Sequence, residues 1–209
     1  MRITRCCTFL LAIGLWAQNT PSPVAIESKF DTPQVRVYVA TLRPNVPVPS
    51  RNGHATNRML IYLDNGTMTV RDEADQVQKI EFHRGQVRWR PASGAYVAED
   101  TSDHPIRILE IDLKGKPAGP APVTKLDPTV VDPKHYKVEF ENEQVRVLRI
   151  HFDAHDKGPL HEHILNRVVL LLNDQGPDKA DLVRMSGAGT HTEENAGDQP
   201  ADRIAVEIK

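Results

Sequence analysis

The stretch Gln34-Val35-Arg36-Val37 returns later in the chain as Gln144-Val145-Arg146-Val147, and this recurrence decides the fold. Phe30 lies four residues before the first copy, and Phe140 lies four residues before the second. Self-similarity at a fixed spacing is the signature of a chain built from repeated structural units. The sequence therefore predicts two copies of one unit.

Two further matches follow in the same order. The segment His54–Leu63 returns as His163–Leu172 with the pattern Asn-Arg and then an apolar run, and Arg107–Ile111 resembles Arg203–Ile208. The Gln34 stretch and its copy lie 110 residues apart, and the His54 stretch and its copy lie 109 residues apart. Unit two therefore has one residue fewer between the two stretches. Three matches in one order make chance an inadequate explanation.

Each unit has the pattern of β-strands. Apolar side chains alternate with polar ones at Val35 and Val37, at Met68 and Val70, and again near the end of the chain. A period of two places one set of side chains on a core face and the other in water. The segment Asp64-Asn65-Gly66 predicts a hairpin turn. No long stretch has the period of a helix, so the fold class is all-β.

A proline-rich stretch separates the units. Five prolines fall between residues 115 and 134 among few apolar residues, which predicts an extended linker. Unit one is then residues 30–114 and unit two residues 135–209. Unit two lacks the hairpin that Thr67–Gly85 supplies in unit one, so it is shortened. We expect unit one to cover the open sheet edge that this loss creates.

The first 17 residues predict a signal peptide. Arg2 and Arg5 precede the uncharged apolar run from Cys6 to Ala17, which is too short to span a bilayer. A secreted or periplasmic protein is expected, without cysteine after cleavage, because Cys6 and Cys7 are the only two. No other apolar run predicts a transmembrane segment. The net charge of −2 argues against nucleic acid as a partner.

Six of the nine histidines fall in unit two, and five of them lie between residues 151 and 191. On a strand, residues two apart point the same way, so His161 and His163 share a face and Glu162 points to the other. His191 is the candidate third ligand of a divalent metal. His151, on the preceding strand, is a candidate to support those ligands without binding the metal itself. We expect Glu162 and other surface acids to be solvated.

These residues resemble the motifs of the cupin family. His161-Glu162-His163 matches the start of its first motif, and His191 with Asn195 matches the end of its second. The resemblance implies two tandem cupin-like jelly-roll β-barrels, the second shortened. It implies a divalent metal (Fe, Mn, Zn, Cu or Ni) and, if the chain is an enzyme, dioxygenase or isomerase chemistry. Asn195 becomes a ligand-binding candidate.

The chain departs from the family at two positions. Arg167 (or Val168) stands where the family has a glutamate ligand, and Gly187 stands where it has proline. A fixed cation discourages a metal or neutralises an anionic substrate. Arg58 occupies the same place in unit one, which favours a structural or outward-facing arginine at both positions.

Unit one is an internal control for the histidines. The positions that match His161, His163 and His191 are Asn52, His54, and either Tyr96 or Val97. One histidine does not hold a metal tightly, so unit one is predicted to be metal-free, with His54 lining the barrel or lying at the surface.

Three classes of function stay open at this stage. The chain is a metalloenzyme acting on a small molecule, a small-ligand-binding protein without turnover, or a structural module in which unit one covers unit two. The sequence names no substrate, and it leaves open whether the chain forms a homodimer.

Overall fold

The computed structural model describes residues 22–50, 53–120, 122 and 124–209. The predicted signal peptide at residues 1–17, with Cys6 and Cys7, lies outside the described residues, as does Asn52. Within the described ranges, no helix is long and apolar enough to cross a membrane.

Nine strands come from the first half of the chain. Their bounds are β1 Val24–Asp31, β2 Val35–Leu42, β3 Pro47–Ser50, β4 Arg58–Tyr62, β5 Gly66–Asp72, β6 Val77–Phe82, β7 Val87–Arg90, β8 Tyr96–Asp100 and β9 Ile106–Leu113. The first strand therefore begins six residues before the predicted start of unit one at Phe30.

One short helix and seven strands follow. Their bounds are α1 Pro128–Val131, β10 Tyr136–Glu141, β11 Val145–Phe152, β12 His161–His163, β13 Arg167–Leu171, β14 Val183–Ser186, β15 Gly189–His191 and β16 Ala201–Ile208. The prediction of an all-β fold is confirmed. The helix was missed, although Asp127 as N-cap and Pro128 in the first turn are its usual signals.

Each half of the chain forms two antiparallel sheets of its own. In unit one the strand orders are β1-β2-β9-β4-β7 and β3-β8-β5-β6, and in unit two they are β10-β11-β16-β13-β14 and β12-β15. The five-stranded sheets correspond strand for strand. The other pair differs, because β5 and β6 have no counterpart in the described part of unit two.

The register of the strands confirms the first two sequence matches and corrects the third. Val35 pairs with Leu113 in unit one as Val145 pairs with Ile208 in unit two. Arg107 is therefore equivalent to Asp202, one residue away from the Arg203 of the sequence match. Both faces of these strands are packed, so apolar residues also occupy consecutive positions, as at Ile108-Leu109 and Ala205-Val206, and only the pairing fixes the register.

The turn prediction at Asp64-Asn65-Gly66 was wrong. This segment follows β4 and precedes β5, but β4 pairs with β7 and β9 whereas β5 pairs with β6 and β8. The segment therefore carries the chain from one sheet to the other rather than closing a hairpin. Turn residues show where a strand ends and not which strand becomes its partner.

The two five-stranded sheets pack against each other. One cluster of buried side chains joins Val37 and Leu109 of unit one to Val147 and Val206 of unit two. Separate apolar clusters fill the other face of each five-stranded sheet. Because both faces are covered, all five residues of β4 and all five of β13 are buried, without the alternation of a half-exposed strand.

An ion-pair network also joins the units. Asp181 of unit two accepts hydrogen bonds from Arg84 at 2.5 Å and from Arg107 at 2.8 Å. Arg107 also binds Asp64, and Arg84 donates to the Leu172 carbonyl at 2.9 Å. The network is half-buried, so solvent screens these charges less than fully exposed pairs.

The end of the predicted linker belongs to unit two and covers its short sheet. The Glu162 amide on β12 donates to the Leu126 carbonyl at 2.8 Å, and Asp127 accepts from Arg146 of β11 at 2.6 Å. The edge that the lost hairpin leaves open is that of β15, and the expectation that unit one covers it was wrong, because unit one packs on the five-stranded sheet. The other edge, at β15, pairs with no strand besides β12 in the described chain.

Candidate metal centre

Three histidines meet on the short sheet of unit two. His161 and His163 lie on β12, and His191 lies on β15 directly opposite His161 in the strand register. One ring nitrogen from each histidine lies within 4.8 Å of those of the other two. His161 is 0% and His163 2% exposed, whereas His191 is partly exposed. The cluster is therefore closed on one side and accessible at β15.

Hydrogen bonds orient two of these rings. The Nδ1 of His163 lies 2.8 Å from Glu207 Oε1, and the Nδ1 of His161 lies 3.0 Å from the Pro159 carbonyl oxygen. A carbonyl or carboxylate oxygen only accepts, so in both rings Nδ1 carries the hydrogen. In the neutral rings Nε2 is then the nitrogen with a free lone pair, as metal ligands require.

The surroundings favour neutral histidines. Burial, with the neighbouring His161 and His163 and the positive Arg167, lowers the pKa of His191 to about 4. Burial also lowers the pKa of His161, and the positive charges of His163 and Arg167 act in the same direction. A metal displaces a proton from a charged imidazole, so the lowered pKa values of His161 and His191 prepare these two rings for a cation.

The donor set fits a divalent transition metal. Three imidazole nitrogens with two rings fixed by second hydrogen bonds are suited to Zn, Fe, Cu, Ni or Mn rather than to Ca or Mg, which prefer oxygen. Glu207 is fully buried and holds His163, and Arg146 donates to its second oxygen at 2.6 Å. His163 and Arg146 hold the pKa of Glu207 below its usual value despite burial, so it stays ionised.

Arg167 lies at this cluster, as the sequence indicated, but it is not outward-facing. It is 9% exposed, and its Nη1 donates to the Gly187 carbonyl at 2.7 Å. It is the register partner of Glu207 on β16, so the two side chains emerge on one face. Its equivalent Arg58 is 2% exposed, so of the two alternatives, structural or outward-facing, the outward-facing one is wrong in both units. Each arginine is the first residue of a strand whose other residues are mostly apolar, and the sequence alone did not show that the arginine itself is buried.

Sequence reasoning missed a second polar chain beside the histidines. The Tyr136 hydroxyl lies 3.2 Å from His161 Nε2 and donates to Glu193 Oε2 at 2.5 Å, while Arg203 binds the other oxygen of Glu193. Burial raises the pKa of Tyr136, so its hydroxyl keeps its proton at neutral pH. Tyr136 is the first residue of β10, and the equivalent residue of unit one is Ile26. This difference between the repeats was the sequence feature that could have indicated Tyr136 as a site residue.

Two predicted supporting residues lie elsewhere. His151 is exposed and binds Asp202 at 2.7 Å, because its neighbours on β11 point inward and leave it outside. Asn195 is buried, but its amide donates to the carbonyls of Asp153 and Gln199 and so fixes a loop. Among the described residues, neither side chain hydrogen-bonds to the three histidines.

The prediction that Glu162 lies on the opposite face of β12 from His161 and His163 is confirmed. Glu162 points away from the histidines, and its Oε2 accepts from the Thr124 hydroxyl.

In unit one, His54 pairs with Ser93 as His163 pairs with Gly189, so the residue equivalent to His191 is Ala95 rather than Tyr96 or Val97. His54 lines a cavity of unit one and stacks on Tyr96 with 5.8 Å between ring centroids. No second histidine cluster of this kind occurs in the described residues.

No protein-family model matches the sequence, and no curated protein matches it. Solved structures do. A cupin 2 conserved barrel domain protein from Leptotrichia buccalis is 12% identical with a TM-score of 0.58, over 92% of both chains. AerE from Microcystis aeruginosa is 10% identical with a TM-score of 0.67, over 92% of this chain and 95% of that one. Oxalate decarboxylase from Bacillus subtilis is 12% identical with a TM-score of 0.56, over 83% of this chain and 68% of that one. These likenesses show that the chain has the fold of the cupin superfamily.

Proposed function

We propose that this chain is a metal-dependent cupin protein whose unit two holds a divalent metal on His161, His163 and His191 and binds a small anionic molecule there. The observation that carries the proposal is the convergence of three imidazoles on one face, with Nδ1 of two rings already committed to acceptors. The metal, once bound, supplies Lewis-acid or oxygen-activating chemistry.

The remaining residues have distinct parts in this proposal. Glu207 and the Pro159 carbonyl orient the ligating rings. Arg167 gives one N–H to Gly187, and its other N–H groups have no partner among the described residues, so it attracts the negative end of a substrate. Tyr136 holds a proton on its hydroxyl, next to the cluster, and Glu193 fixes the direction of that proton.

The lost hairpin gives this site its entrance. In unit one, β5 lies beside β8 in the second sheet, whereas in unit two the equivalent strand β15 is exposed at Gly189 and Thr190 and partly exposed at His191. The shortening of unit two therefore supports access to the histidines. A small molecule approaching along β15 meets His191 first.

The finer architecture belongs to the same proposal. We infer two tandem jelly-roll barrels over residues 30–114 and 135–209, and a secreted or periplasmic location after removal of residues 1–17. Two sheets per unit and the structural neighbours support the first inference. The basic and then apolar start of the sequence supports the second.

The enzyme hypothesis and the binding-protein hypothesis predict different results in the same experiment. Neighbours of this fold include an oxalate decarboxylase with Mn(II) centres, so oxalate is a reasonable anionic probe. We would load the chain with Mn²⁺, Fe²⁺ or Zn²⁺, add oxalate, and follow heat of binding, oxygen uptake and carbon dioxide release. Metal-dependent turnover supports an enzyme, and saturable metal-dependent binding without turnover supports a binding protein. No binding and no turnover with any metal would contradict both.

A further inference from the structure

Unit one contains a cavity that the metal centre does not use. Its volume is about 220 Å³, and its walls are the apolar side chains that lie between the two sheets of unit one, among them Leu60, Met68, Val70, Ile80, Ala98 and Ile108. Sites for drug-sized ligands are usually about 300–1,000 Å³, so this cavity suits a smaller molecule. None of the three histidines lines it.

Three arginines line one part of this apolar cavity. They are Arg58, Arg88 and Arg90, and Glu110 is the only acidic residue in the lining. Arg58 donates to Glu110 Oε2 at 3.2 Å and to the Tyr96 hydroxyl at 2.9 Å. The lining therefore carries an excess of two positive charges even when Glu110 is ionised. Arg58 is buried and Arg88 and Arg90 are partly buried, and a partly desolvated excess of positive charge is unfavourable without an anion.

The strand register places two of these charges directly opposite each other. Arg58 of β4 pairs with Arg90 of β7, and like charges at paired positions destabilise a sheet. Both guanidinium groups lie over the Tyr96 ring, at 5.6 and 5.8 Å from its centroid. Arg90 has no carboxylate partner among the described residues. In unit two the residue paired with Arg167 is Ser186, so the arginine pair is particular to unit one.

Unused hydrogen-bonding capacity marks the same place. Arg58 Nε is buried and has no hydrogen-bond partner in the described chain, whereas the buried Tyr62 hydroxyl lies near the Arg88 guanidinium, and both residues line the cavity. Arg58 is 2% and Tyr62 0% exposed. A buried N–H group without an acceptor is rare in native proteins and calls for a bound partner.

We propose that unit one is a second, metal-independent site, which takes a small monocarboxylate with an apolar body. The carboxylate lies between Arg58 and Arg90, where planar bidentate pairing relieves the repulsion of the two guanidinium groups. The apolar body lies along Leu60, Ile80 and Ile108. A fully polar anion would leave these apolar walls uncovered, and a neutral ligand would leave the charge unbalanced.

The test is isothermal titration calorimetry of the full chain in EDTA, which removes any metal from unit two. Octanoate and benzoate present the same carboxylate on aliphatic and aromatic bodies, and 1-octanol and benzyl alcohol are the matched neutral probes. We expect one saturable site per chain for octanoate or benzoate, with the alcohol at least about tenfold weaker. The acid that binds more tightly identifies the kind of body.

Variants localise the site. Arg90→Gln should weaken carboxylate binding by about tenfold and raise the Tm of the ligand-free chain, because it removes the repulsion with Arg58. Arg71→Gln, the same change on an exposed residue of unit one, should alter neither quantity. The His161→Ala variant should bind octanoate as the natural chain does. Absence of saturable binding, equal binding of the alcohol, or unchanged affinity in Arg90→Gln would overturn the proposal.

Discussion

His163 donates its Nδ1 hydrogen to Glu207 Oε1 across 2.8 Å, and both side chains are almost completely buried. Glu207 stays ionised, so it holds the imidazole in the tautomer whose Nε2 has a free lone pair. The carboxylate thus prepares a metal ligand without touching the metal itself. This relationship is absent from the histidine motif, because Glu207 lies 44 residues beyond His163.

Replacing that carboxylate should weaken metal binding. Glu207→Gln keeps the shape of the side chain but no longer provides a charged acceptor, and loss of such a supporting group typically costs about 10–100-fold in metal affinity. Chelator competition with Zn²⁺ measures the change. Glu139→Gln, which removes an ion pair with Arg149 on the surface of unit two, is the matched control. Equal affinities in the two variants would show that Glu207 does not orient the ligand.

Removing the cation beside the histidines should strengthen metal binding. Arg167 is a fixed positive charge that lowers the pKa of both His161 and His191, and it repels a divalent cation for the same reason. Arg167→Gln should raise Zn²⁺ affinity by about three- to tenfold in a partly screened site. Arg184→Gln, on an exposed side chain of the neighbouring strand, should have little effect. Weaker binding in Arg167→Gln would mean that the arginine supports the metal rather than opposing it.

The cavity of unit one should make stability depend on pH through His54. Burial, with Arg58 and Arg90 nearby, lowers its pKa to about 4, whereas an unfolded histidine titrates near 6.5. Between these two pH values the unfolded chain binds a proton at His54 that the folded chain does not bind. The contribution of His54 to the free energy of unfolding is therefore complete above about pH 6.5 and is lost as pH falls to about 4.

Urea unfolding at a series of pH values tests this dependence. The free energy of unfolding should fall less steeply between pH 6.5 and 4 in His54→Gln than in the natural chain. His104→Gln is a suitable control, because Asp103 raises the pKa of that exposed histidine and its titration falls at higher pH. A slope unchanged by His54→Gln would contradict the partly buried, neutral state of this ring.

The ion-pair network should tie the stabilities of the two units together. Asp181→Asn keeps the left-handed backbone at this position, which asparagine tolerates, but removes the charge that receives Arg84 and Arg107. The expected loss in the free energy of unfolding is about 1–3 kcal/mol. Asp178→Asn, with a loose and exposed partner, should change it by less than about 0.5 kcal/mol.

A further variant tests whether the units unfold as one. Val206→Ala in unit two removes two methyl groups from the shared core and should destabilise by about 1–3 kcal/mol. The fluorescence of Trp89 in unit one, which stacks near Phe140 of unit two, should report the whole shift in midpoint. A Trp89 transition unaffected by Val206→Ala would mean that the units unfold independently.

The repeats made much of this fold predictable. Gln34 and Gln144 mark equivalent strand starts, and Arg58 and Arg167 begin equivalent strands, as their sequence context indicated. Pairing partners were harder to predict, since alternation shows which face a residue occupies and not which strand lies beside it. For that reason Asp64-Asn65-Gly66 was assigned to a hairpin. Arg107 was matched to the wrong residue because β9 and β16 bury consecutive apolar residues, so alternation does not fix their register.

The candidate site was predictable where it is local in sequence. His161 and His163 are two apart on one strand, and His191 was found because a third imidazole was needed nearby. Glu207 and Tyr136 come from β16 and β10, and only the sheet order brings them to the cluster. His151 was chosen for its proximity in sequence, but its strand turns it outward to Asp202.

The central claim is tested most directly by metal analysis of the full chain, purified without a chelator or a histidine tag, by inductively coupled plasma mass spectrometry. A His161→Ala/His163→Ala variant is measured beside it, and His151→Ala/His155→Ala is the control for two exposed histidines. We predict close to one divalent ion per chain in the natural protein and the control, and almost none in the His161/His163 variant. A natural chain that retains no metal after incubation with Fe, Mn, Zn, Cu and Ni would contradict the account.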